Sequence, residues 1–86
     1  MTADLHGDAQ RLAEDLRRSG AEALAEPLEV ALFGSTSGEI LCGLGAALQR
    51  ISRRGSGAST GNRERARSLR REVDALLRAA GHAPPP

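Results

Sequence analysis

Apolar residues recur every three or four positions through most of this chain, the spacing that gathers them on one side of an α-helix. Leu5, Ala9, Leu12, Ala13 and Leu16 form the first such stripe. Ser19-Gly20 ends it, with Arg17 and Arg18 in the last turn, where cations favour the negative pole of a helix. The second stripe is Leu24, Leu28, Ala31 and Leu32, and Ser19-x-x-Glu22 reads as the capping box that opens it. Pro27 lies inside this span and has no backbone N–H to donate, so the helix either kinks or begins its regular part near residue 26. Gly34 closes the second helix, and Thr36-x-x-Glu39 is a further capping box ahead of a seam of Ile40, Leu41, Leu44, Leu48 and Ile51. Ala66, Leu69, Val73, Leu76, Leu77 and Ala80 line the fourth helix, with Asn62 as its N-cap and Gly81 as its stop.

No run alternates with period two, so no strand is expected. The expected fold is all-α, a small antiparallel three- or four-helix bundle. It forms a single domain over residues 1–81, with helices at about 3–19, 20–33, 36–54 and 62–80. The Gly/Ser-rich segment 55–61 reads as a flexible linker and the Pro-rich end 82–86 as a disordered tail.

Composition sharpens this picture in two ways. Of 86 residues 40% are hydrophobic, but Ala accounts for 15 and the large apolar types Leu, Ile, Val and Phe for only 17. The core is therefore thin, and a partner or a second copy would supply apolar surface that the chain lacks. Phe33 is the sole aromatic residue, and all twelve basic residues are Arg. Arg without Lys, beside heavy use of Ala, Gly and Pro, fits GC-rich bacterial coding. These numbers exclude a multidomain enzyme, a disulfide scaffold, a collagen-like chain and a highly charged disordered protein. The N-terminal residues lack the basic and apolar regions of a signal peptide, and no apolar run approaches the roughly 20 residues that span a bilayer. Together with a lone cysteine, Cys42, this points to a cytoplasmic protein with no membrane partner.

Charge is divided unevenly. Residues 1–43 hold three Arg and eight acids, net −5, whereas residues 44–86 hold nine Arg and three acids, net +6. Arg50, Arg53 and Arg54 end the third helix, and Arg63, Arg67, Arg70, Arg71 and Arg78 fall on one side of the fourth. Clustered guanidiniums suit phosphates or an acidic partner. The competing expectation is that the basic helix lies beside the acidic Glu22, Glu26 and Glu29 of the second, with Asp74 pairing to Arg70 and Arg78. That expectation weighs more, since stacking aromatics and a helix-turn-helix are both missing.

Other constellations are weaker. Gly34-Ser-Thr-Ser-Gly38 could cradle an anion, but Glu39 repels one and capping accounts for each of its residues. Cys42, His6 and His82 share no metal-ligand spacing, and Cys42 reads as a buried, inert thiol. Carboxylate pairs such as Glu22/Glu26 suit a solvated face better than general acid–base work. No cofactor, metal or catalytic residue is expected. Gly43-x-x-x-Ala47 thins the third helix, which implies close packing within the chain or a face for a partner's helix through Leu41, Leu44, Leu48 and Ile51.

The leading expectation is a small non-enzymatic helical protein that works through protein–protein contact, as a homodimer or an adaptor. The alternative is a small nucleic-acid-associated protein that uses the Arg-rich half.

Overall fold

The computed structural model describes residues 4–81, which form an all-α four-helix bundle. Its helices are α1 (Leu5–Arg18), α2 (Glu22–Ala31), α3 (Ser37–Ser52) and α4 (Thr60–Ala79). Residue 3, where the first helix was expected to begin, and the tail 82–86 with His82 lie outside the described residues.

The packing is a ring in which α1 touches α2 and α4, and α3 touches the same two helices from the other side. Each apolar stripe faces inward over most of its length. Leu76 and Ala80, expected on the inner face of the fourth helix, are exposed because they lie toward its end, where the other helices give less cover. Leu12 and Leu16 of α1, Leu28 of α2, Leu44, Leu48 and Ile51 of α3, and Val73 and Leu77 of α4 are buried together. Ala9, Ala13, Ala25, Ala47 and Ala66 fill the space between them. A radius of gyration of 11.9 Å is about what a folded chain of this length gives, so the small residues leave no swollen core.

The helix ends follow local chemistry, not always as the sequence implied. The α1 terminus is a Schellman motif: Gly20 adopts φ +87°, its N–H donates to the Arg17 carbonyl, and the Ala21 N–H donates to the Leu16 carbonyl at 2.8 Å. Ser19 is spent there, its hydroxyl donating to the Leu16 carbonyl at 3.0 Å. The expected Ser19–Glu22 capping box therefore does not form, and α2 has Ala21 at its N-cap position with no side-chain cap. Pro27 lies inside α2, which is continuous across it.

Gly34 follows the end of α2 without a positive φ. A Cβ there would stand 3.1 Å from the Ile40 backbone nitrogen, so glycine lets the connection hug the start of α3. Thr36 caps α3 as expected, its hydroxyl accepting from the Glu39 N–H at 3.1 Å.

The α3–α4 connection differs most. Helix α4 begins two residues earlier than expected, capped by Ser59, whose hydroxyl accepts from the Asn62 N–H at 3.2 Å. Asn62 is inside the helix. The connection is shifted by two residues, to 53–59 instead of 55–61, and carries its own bonds. The Ser56 hydroxyl donates to the Ile51 carbonyl at 2.9 Å and accepts from the Ala58 N–H at 3.3 Å, while Ala58 packs on the core. Gly55 and Gly57, both at positive φ, allow the reversal.

The thin waist of α3 serves packing within the chain. A Cβ on Gly43 would approach the Ala31 Cβ to 2.9 Å, so α2 and α3 meet there nearly backbone to backbone. Gly43→Val should cost about 1–3 kcal/mol in urea unfolding, and less in an Ala31→Gly background, where space is restored. Ser59→Ala should cost about 1 kcal/mol, while Asn62→Ala should change stability by under about 0.5 kcal/mol. The pair of melts checks which residue caps α4.

Candidate interaction surfaces

One end of the bundle is apolar. Leu5 from the start of α1, Ile40, Leu41 and Leu44 from the first turns of α3 and Leu76 from the last turns of α4 line an open groove of about 390 Å³. His6 and Ser37 complete its rim. On the other side of His6, Leu32 and Phe33 at the end of α2 face Gln10 and Glu14 of α1 across a second hollow. Phe33 is 87% exposed, Val30 65% and Leu76 45%, the three large hydrophobic side chains left on the surface among the described residues. The sole aromatic of a chain short of core is thus spent on solvent.

This end bears on the expected protein interface of Leu41, Leu44, Leu48 and Ile51. Leu44, Leu48 and Ile51 are buried in the chain's own core, because α3 turns this seam toward α2 and α4. Of these three, Leu44 also lines the groove. Leu41 is half-buried and stays on the groove wall. Val30 and Phe33 did not figure among the expected contacts, although both fall outside the Leu24–Leu28–Leu32 stripe of α2, which was the available signal.

Ion pairs fasten α1 to its neighbours. Arg17 donates to both carboxylate oxygens of Glu29, at 2.6 and 2.7 Å, and lies 3.5 Å from Glu22. This fork is the one that planar guanidinium and carboxylate groups favour. Asp15 accepts from Arg18 on its own helix and from Arg65 of α4, whose guanidinium also reaches the Asn62 side-chain oxygen at 3.2 Å. Arg11 pairs with Asp8. The acidic side of α2 is therefore answered by Arg17, and α4 packs on α3 and α1 instead of settling beside Glu22, Glu26 and Glu29.

What remains is a face of arginines on α3 and α4. Arg53, at the C-cap of α3, and Arg54, Arg67, Arg71 and Arg78 are exposed, and Arg63 is half-buried. Arg63 donates to the Thr60 hydroxyl at 3.1 Å and Arg67 to the Ser52 carbonyl at 3.4 Å. Arg70 lies 3.8 Å from Asp74. Arg50 is exposed two turns beyond Gly43, on the flank of α3 that packs on α2, and so stands apart from the others.

Among the described residues, no group of three His, Cys, Asp or Glu side chains is placed to hold a metal ion. Cys42 is exposed, contrary to the buried thiol expected, because α3 turns it away from the Leu44–Leu48 seam. Thr36 is occupied as the cap of α3. No described helix is long and apolar enough to cross a membrane. Compared with known proteins, the chain matches no family, no curated protein and no solved structure.

Hydrogen bonding to Arg17 holds the Glu29 carboxyl below its ordinary value of 4.5, and the same bond raises the Arg17 guanidinium. A depressed carboxyl stabilises the fold above its unfolded pKa, and that contribution is lost as pH falls through the folded value. The melting-temperature gap between wild type and Glu29→Gln should therefore be constant from about pH 7 to pH 5 and close below about pH 4, in thermal scans at fixed ionic strength.

Proposed function

We propose that this protein is a non-catalytic helical module that works by self-association, with the apolar end of the bundle as its interface. The observation that carries this reading is Phe33, the sole aromatic, standing almost fully exposed beside an apolar groove. A two-fold interface requires that one patch supply both the projection and the hollow. Here both lie at the same end, on either side of His6: Phe33 and Val30 project, and Leu5, Ile40, Leu41 and Leu76 form the hollow. Two copies facing each other place each Phe33 in the partner's groove, and the two apolar surfaces are buried together.

The rest of the surface supports the same choice. Asp8, Asp15, Glu22 and Glu29 already have arginine partners within the chain, which leaves an acid-to-base docking of the two halves with fewer free carboxylates. Aromatic side chains are also the commonest interface anchors, and this chain has one to place.

Size exclusion with light scattering at about 10–500 μM tests the proposal. The wild type should give twice the 9.0 kDa chain mass at the upper concentrations, and Phe33→Ser should stay at the chain mass with unchanged helicity. A wild type that remains monomeric throughout, or a dimer indifferent to Phe33→Ser, overturns it.

A further inference from the structure

We propose that the outer face of α3 and α4 binds the phosphate backbone of double-stranded nucleic acid without reading its sequence. At 100° per residue, Arg63, Arg67, Arg71 and Arg78 fall within about 80° of one another on α4 and span roughly 22 Å of its length. The Arg67 bond to the Ser52 carbonyl sets this row against the C-terminus of α3, where Arg53 and Arg54 continue it. The row thus follows one long edge of the bundle, which measures 35 × 25 × 23 Å.

Ion pairs within the fold leave most of this face uncompensated. Arg11, Arg17, Arg18 and Arg65 each have a carboxylate partner. Among the described residues no carboxylate is bonded to Arg53, Arg54, Arg63, Arg67, Arg71 or Arg78. One acid lies within the row and one at its edge: Asp74, half-buried between the Arg63 and Arg67 positions around the helix, is 3.8 Å from Arg70, and Glu64 is exposed on the outer side. Six guanidiniums against these two leave a strong positive field along the edge.

The makeup of the face selects the kind of anion. Val30, Phe33 and Leu76 lie elsewhere, so the row offers no large apolar anchor of the kind a protein partner needs. It offers no aromatic ring on which unpaired bases would stack. Planar guanidiniums on a rigid helix suit phosphate oxygens, and a duplex presents these at high linear density. Neither the site nor its occupant depends on the apolar end.

Fluorescence anisotropy of a labelled random 20-base-pair DNA duplex, titrated with the whole protein across a salt series, tests this. Binding should be measurable at about 50 mM salt, with log K falling linearly against log salt at a slope of about −3.6 to −5.4 for four to six phosphate contacts. Arg67→Ala with Arg71→Ala should make the slope shallower by about 1.8. Arg11→Ala with Arg18→Ala, equal in charge change but on α1, should leave it in place. Circular dichroism verifies that both variants are folded. Retained binding by Phe33→Ser separates this surface from the dimer interface. The proposal is overturned by absence of binding at about 50 mM salt, by equal losses in the two double variants, or by polyglutamate displacing the duplex as well as unlabelled DNA does.

Discussion

The close approach of helices through small side chains is the constraint on which this bundle rests. Seven leucines, one isoleucine and one valine are buried, and five alanines separate them. Side chains this small fill an interior only if the backbones draw near, because dispersion falls steeply across even a fraction of an ångström. Gly43 against Ala31 is the extreme case, with no room for one more carbon. The connection at Gly34 obeys the same rule, lying so close to Ile40 that a Cβ would strike its backbone.

That constraint also places what the core cannot hold. A phenyl ring in an interior of leucine and alanine would force the helices apart, and Phe33 stands outside instead. The short α2 ends just before it, so the ring projects beside a hollow between α1 and the end of α2. The groove near it is lined by Leu5, Ile40 and Leu41, which the bundle only half buries, and by Leu76, which is exposed.

Electrostatics divides the remaining surface. A net charge of +1 reads as neutral, yet it is the sum of two unlike regions. Around α1 most arginines are matched to carboxylates, and these pairs tie α1 to α2 through Arg17 and to α4 through Asp15. Along α3 and α4 the arginines outnumber their acids, and the field there points to solvent. The two candidate surfaces are therefore distinct in place and in chemistry, so substitutions in one leave the other intact.

The three- and four-residue spacing of Leu12, Leu16, Leu28, Leu48, Val73 and Leu77 was enough to predict four helices and their inward faces, because a helix buries whatever lies on its apolar stripe. Local caps were legible where the competition was local, as at Thr36 and Gly20. They misled where two motifs claimed one residue: Ser19 closes α1 and so cannot open α2, and Ser59 caps α4 ahead of Asn62. Spacing along a helix cannot tell which neighbour a stripe meets. Tertiary structure alone decided that Leu44, Leu48 and Ile51 are core, that Cys42 is exposed and that Glu29 answers Arg17. Each of these depends on the order of helices around the ring, a long-range outcome of packing that no local pattern encodes.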